Sequence, residues 1–90
     1  MNIKVFGPQE KEDLLVFPNP FKKERGFFYV KTKETLKEIL VYSPSGRIKK
    51  LNFVSSGEKF KVNALGLERG FYVLVIKSDR GIRVKKIICE

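Results

Sequence analysis

The stretch Val16–Phe21, VFPNPF, begins as an apolar run suited to a strand, is interrupted by Pro18, Asn19 and Pro20, and resumes with Phe21. Proline has no amide to give to a ladder and biases the residue before it towards extended geometry. Two prolines around an asparagine therefore end a strand, fix a turn and drop Phe21 into the interior. The competing reading, a displayed Asn-Pro-Phe ligand, rests on three residues only. The stretch reads as a corner of a β fold, with Phe21 buried.

Working outward, short runs of apolar and β-branched residues recur along the chain with turn residues between them. They predict seven strands, at Leu14–Phe17, Gly26–Thr32, Leu36–Ser43, Gly46–Phe53, Glu58–Val62, Gly70–Lys77 and Gly81–Cys89. The linkers are rich in Gly, Pro, Ser, Asp and Asn. SPSG, residues 43–46, reads as a type I turn: Ser43 bonds the backbone, Pro44 presets the first central residue and Gly46 closes it. The hairpin this makes is expected to set Val41 opposite Ile48. Phe28 and Val30 alternate with Phe27, Tyr29 and Lys31, which implies a sheet with one buried face. FYVLVI, Phe71–Ile76, is apolar throughout and predicts a central strand, its second face covered by a loop, a terminal segment or a partner. KTKETLKEIL has helical residue content but gives way at once to VYS, so it reads as a polar turn entering a strand.

Ninety residues with 42% hydrophobic content suit one small domain. Residues 1–13 read as a lead-in, a linker from something upstream, and 14–90 as the domain. No run approaches a membrane span, and the acids near the N-terminus do not fit a secretory signal. Cys89 is the single cysteine and histidine is absent, so neither an internal disulfide nor a Cys/His metal site is expected. The ten acids are scattered, no nucleophile stands at a recognisable spacing from a base, and there is no glycine-rich phosphate loop. The chain reads as non-catalytic, with no cofactor. Its net charge of +9 invites a polyanion, and Phe27, Tyr29 and Lys31 suggest a stacking platform, but the basic residues spread over most strands as solvated faces do. That argues against nucleic acid. Seven short strands in one small domain predict an all-β fold, an antiparallel immunoglobulin-like β-sandwich, ahead of a small barrel.

Three blocks in order carry a resemblance: VFPNPF, then EILVYSPSGRIKKL, then LGLERGFYVLVIKSDRGIRVKKII. Together they resemble the C-terminal sorting domain of proteins exported by the bacterial type IX secretion system, which is similar to the immunoglobulin-like domain of flagellar hook-capping proteins. The matching positions are Pro18, Asn19, Pro20 and Phe21, then Val41–Arg47 with Gly46, then Leu67, Gly70 and Tyr72 with Val84–Ile88. Where the family usually has Asp and an apolar residue after the tyrosine, this chain has Ser43 and Pro44, which keep the turn. The resemblance implies a non-catalytic address attached to an upstream cargo and engaged by outer-membrane secretion machinery. The cargo passes through the periplasm to the cell surface or medium, and many members lose the domain by cleavage. The alternative is a structural immunoglobulin-like spacer or capping module.

In the last strand, GIRVKKIICE, the alternation of Ile82 and Val84 slips to Ile87 across two lysines, which predicts a bulge or frayed edge. Lys85 and Lys86 are then exposed beside an apolar terminal strand. Arg83, Lys85, Lys86, Ile87 and Ile88 are the candidate recognition residues. Pro18–Phe21, Gly46, Leu67, Gly70 and Tyr72 read as scaffold, Tyr72 with its hydroxyl on a backbone partner. Cys89 reads as a free thiol able to cross-link two copies, and an apolar face or unpaired edge leaves a homodimer open.

Overall fold

The computed structural model describes residues 14–90, so the expected lead-in over residues 1–13 lies outside it. Eight strands form: β1 (Leu14–Phe17), β2 (Phe27–Thr32), β3 (Leu36–Tyr42), β4 (Ile48–Leu51), β5 (Phe53–Ser56), β6 (Lys59–Asn63), β7 (Gly70–Ser78) and β8 (Gly81–Cys89). They make two antiparallel four-stranded sheets, ordered β1-β2-β6-β5 and β4-β3-β7-β8. No helix occurs among the described residues. The corner ends β1 as expected, the polar turn into β3 is limited to residues 33–35 because Lys31 and Thr32 still belong to β2, and FYVLVI lies centrally between β3 and β8.

The expected single strand Gly46–Phe53 is two. At Asn52 the chain leaves β3 of the second sheet and joins β6 of the first, and the Asn63 amide donates to the Asn52 carbonyl at 2.8 Å to fix the crossing. Leu51 and Phe53 both pack on the core and keep the two-residue spacing of an unbroken strand. Periodicity therefore carried no mark of the switch.

The β3–β4 register also differs from expectation: Tyr42, not Val41, stands opposite Ile48. The Gly46 amide donates to the Ser43 carbonyl and the Ser43 amide to the Arg47 carbonyl, both at 2.9 Å. Gly46, at φ 93°, thus completes a three-residue loop, and its left-handed backbone moves the pairing by one. Ile48 consequently faces outward, 58% exposed, while Val41 is buried.

Both sheets feed one core. Phe28, Val30 and Val62 come from the first, Ile39, Val41, Leu74, Ile76 and Ile87 from the second, and Phe21 from the corner. Phe21 is fully buried and its ring lies 5.3 Å from that of Phe28. Burying side chains of this size stabilises the fold by about 1.5–3 kcal/mol each.

Candidate functional site: the last strand and its corner

The corner and the C-terminal strand are built together. Phe21 donates its amide to the Ile88 carbonyl at 2.8 Å and accepts from the Glu90 amide at 2.9 Å, forming a parallel bridge beside Cys89. The Asn19 side chain extends that edge: its amide nitrogen donates to the Lys86 carbonyl at 2.9 Å, and its oxygen accepts from the Ile88 amide at 3.0 Å. One asparagine side chain thus substitutes for a residue of a neighbouring strand. The bonds before Pro18 and Pro20 are both cis, and the turn they shape faces β8.

No bulge interrupts β8. Its pairing with β7 runs without a shift from Gly81 opposite Ser78 to Cys89 opposite Gly70. The slip expected at the lysine pair is absent because Lys85 and Lys86 occupy opposite sides of a regular strand. Lys85 stands opposite buried Leu74 and is half-buried; Lys86 stands opposite Val73 and is exposed. They do not form one basic feature. Ile87 is fully buried against Tyr72, whereas Ile88 is 44% exposed beside Phe71. Arg83 lies on the inward side and pairs with Glu34. The Glu34 side chain is 1% exposed, and its other oxygen accepts from the Ser78 hydroxyl at 2.6 Å. The sequence did not single out Glu34, because nothing local distinguishes it from the acids around it. Of the five candidate residues, only Lys86 and Ile88 therefore share the outward face.

That face is larger than β8. Register places Leu40 and Tyr42 of β3, Ile48 of β4, Phe71, Val73 and Val75 of β7, and Ile82, Val84 and Ile88 of β8 on one side. Exposure is 58% at Ile48, 54% at Phe71, and 62% at both Ile82 and Val84. With Ile88, these are five of the eight large apolar side chains left exposed among the described residues. Lys50, Lys77 and Lys86 supply charge, with Glu38 held between Lys50 at 3.7 Å and Lys77 at 3.3 Å. A contiguous apolar face of this kind marks an interaction surface.

The family model for the secretion system C-terminal sorting domain matches residues 15–90. This chain belongs to that family. No curated protein and no solved structure matches it. It is a C-terminal sorting domain of the type IX secretion system, and its function is that of a secretion signal in folded form. A sorting domain implies an attached upstream cargo, recognition by the secretion machinery, and export to the cell surface or extracellular space.

The remaining motif residues, Leu67, Gly70 and Tyr72, lie at the start of β7 and in the loop before it. Leu67 is buried, and Gly70, at φ 143°, opens β7 in a conformation that a side chain opposes. Two residues on, the Tyr72 hydroxyl donates to the Glu68 carbonyl at 2.6 Å, which ties β7 to the loop before it. Burial raises the Tyr72 pKa, with the Cys89 thiol adding to the effect. Burial likewise raises that of Cys89, partly offset by Lys23 and Arg69. Cys89 is a free thiol, but it is 2% exposed with its sulfur 4.0 Å from the Leu67 carbonyl. The expected cross-link is therefore closed to the folded domain, because no second thiol can reach this one. No group of three or more His, Cys, Asp or Glu converges on a metal site among the described residues.

Proposed function

We propose that the outward face of the second sheet is the surface that the secretion machinery reads, with Lys86 and Ile88 at its C-terminal end and Ile82, Val84, Phe71 and Ile48 as its apolar body. On this reading the domain is an immunoglobulin-like sandwich of residues 14–90 closing a larger cargo protein, which crosses the periplasm before export. The observation that carries it is the collection of exposed apolar side chains on one face of a sheet whose opposite side fills the core. Such a surface gains about 25 cal/mol per Å² of apolar area when a partner covers it. The lysines outnumber the single glutamate there, and that glutamate is already held by two of them. The partner suited to it has an apolar centre and carboxylates at its rim. A second copy fits less well, since it sets one +9 chain against another.

The test fuses residues 14–90 behind a reporter with an N-terminal export signal, in a bacterium that has the type IX system. The intact domain carries the reporter outside. Val84→Glu and Lys86→Glu leave it in the periplasm while the isolated domain melts within a few degrees of the parent. Leu15→Glu, on the other sheet, exports normally. Export of the Val84→Glu fusion at parental level removes this surface from recognition, and failure of the intact fusion removes the sorting reading itself.

A further inference from the structure

The first sheet presents a different chemistry outward. Register places Leu15 and Phe17 of β1, Phe27, Tyr29 and Lys31 of β2, Val54 and Ser56 of β5, and Lys59 and Lys61 of β6 on that side. Lys31 and Lys59 are directly opposite each other on adjacent strands. Like charges so placed destabilise a sheet. None of Lys31, Lys59 and Lys61 belongs to an ion pair among the described residues. The second sheet differs in this respect, for Glu38 bridges Lys50 and Lys77 there.

Aromatic rings hold two of these ammonium groups in place. Lys59 Nζ lies 5.0 Å from the centre of the Tyr29 ring, and Lys61 Nζ lies 4.3 Å from that of Phe27. Tyr29 contacts both Phe17 and Phe27, with ring centres 5.6 and 5.5 Å apart, so the platform is fixed by packing. Same-face residues of a strand are about 6.5 Å apart, which sets Lys61 one step along from the Lys31/Lys59 pair. A cleft beside that pair is lined by Phe17, Lys31, Ser56, Gly57, Glu58 and Lys59. Ammonium groups bind phosphate as point charges, and one phosphoryl group offers several acceptor oxygens to two lysines at once.

We infer that this cleft binds a phosphate-bearing ligand, with one phosphoryl group between Lys31 and Lys59 and a neighbouring anionic group at Lys61. Ser56 supplies a hydroxyl donor at the same rung as Lys59. Glu58 at the rim weakens binding and sets a limit on how negative the ligand can be.

The experiment is a ¹⁵N NMR titration of the full chain with sodium tripolyphosphate at constant ionic strength. Saturable shifts are expected at Phe17, Lys31 and residues 56–61. Lys59→Gln weakens the affinity by about tenfold, the scale of one charge-assisted contact, whereas Lys59→Arg stays within about threefold. Glu58→Gln tightens binding, and Lys50→Gln leaves it unchanged. Parallel sedimentation with vesicles of phosphatidic acid and of phosphatidylcholine identifies the source of the phosphate. Lys59-dependent binding to the phosphatidic acid vesicles alone assigns a lipid headgroup, and such binding to tripolyphosphate assigns a soluble phosphate. No saturable binding to either, or binding indifferent to Lys59→Gln, overturns the site and leaves the lysines as a solvated face.

Discussion

Asn19 shows how one side chain completes a sheet edge. Its amide donates to Lys86 and accepts from Ile88, two backbone groups on a strand more than sixty residues away. A hydrogen bond of this kind contributes about 0.5–1.5 kcal/mol net. Asn19→Ala is therefore expected to lower the unfolding free energy in urea by about 1–3 kcal/mol, the sum of two such bonds. Asn19→Asp keeps the acceptor and loses the donor, and should fall between the two; a loss equal to that of alanine would mean that the carboxylate gains nothing from the Ile88 amide. The corner itself was legible, because prolines act on their own backbone and Phe21 is too apolar to stay outside. The role of Asn19 was not, since its partners come from the far end of the chain. Arg83 and Glu34 repeat the lesson: a pair 49 positions apart leaves no local pattern, and it makes Arg83 an anchor of β8.

For single elements, alternation was a sound guide wherever strands ran straight, as in β2, where Phe28 and Val30 are buried between outward Phe27, Tyr29 and Lys31. It misled at the two places where the chain changes course. The three-residue loop at Gly46 moved Ile48 to the outside, and the crossing at Asn52 preserved the spacing of Leu51 and Phe53 while sending them to different sheets. In β8 the apparent slip came from treating Ile87 as continuing the row of Ile82 and Val84. That row continues at Lys86 and Ile88, whereas Ile87 belongs to the core. The two adjacent isoleucines thus provide a direct test of the strand. Ile87→Ala is expected to cost about 2–5 kcal/mol, and Ile88→Ala less than about 1 kcal/mol, in equilibrium urea unfolding. Similar losses at both positions would indicate that β8 does not hold this register. The same pair separates stability from recognition, because on the proposed surface Ile88→Ala reduces export of a fused reporter without a matching loss of fold.

In the whole molecule, one core serves two outward faces of unlike character, an apolar one on the β4-β3-β7-β8 sheet and an aromatic and cationic one on the β1-β2-β6-β5 sheet. With Cys89 as the single cysteine, the core is assembled without an internal disulfide, and its closure lies where β7 and β8 meet the corner. Tyr72 and Cys89 sit at that closure, and burial raises the pKa of each. The consequence for stability has a definite sign. A buried acid whose folded pKa exceeds its unfolded value stays protonated in the fold while the unfolded chain releases its proton. Its contribution is complete below the unfolded pKa, about 8.5 for the thiol and about 10 for the phenol, and is lost as pH rises through the folded values. The domain should therefore hold its melting temperature near neutrality and lose stability progressively above about pH 8.5, with each group limited to about 1.4 kcal/mol per pH unit. Lysines also titrate at the upper end of this range, so the decisive quantity is a difference between chains. Cys89→Ala should start lower at pH 7, because a buried side chain is shortened, and then fall less steeply than the parent between pH 8.5 and 10. Parallel curves over that interval would show that the thiol ionises equally well in the folded and unfolded chains, and that the closure around Cys89 opens to water.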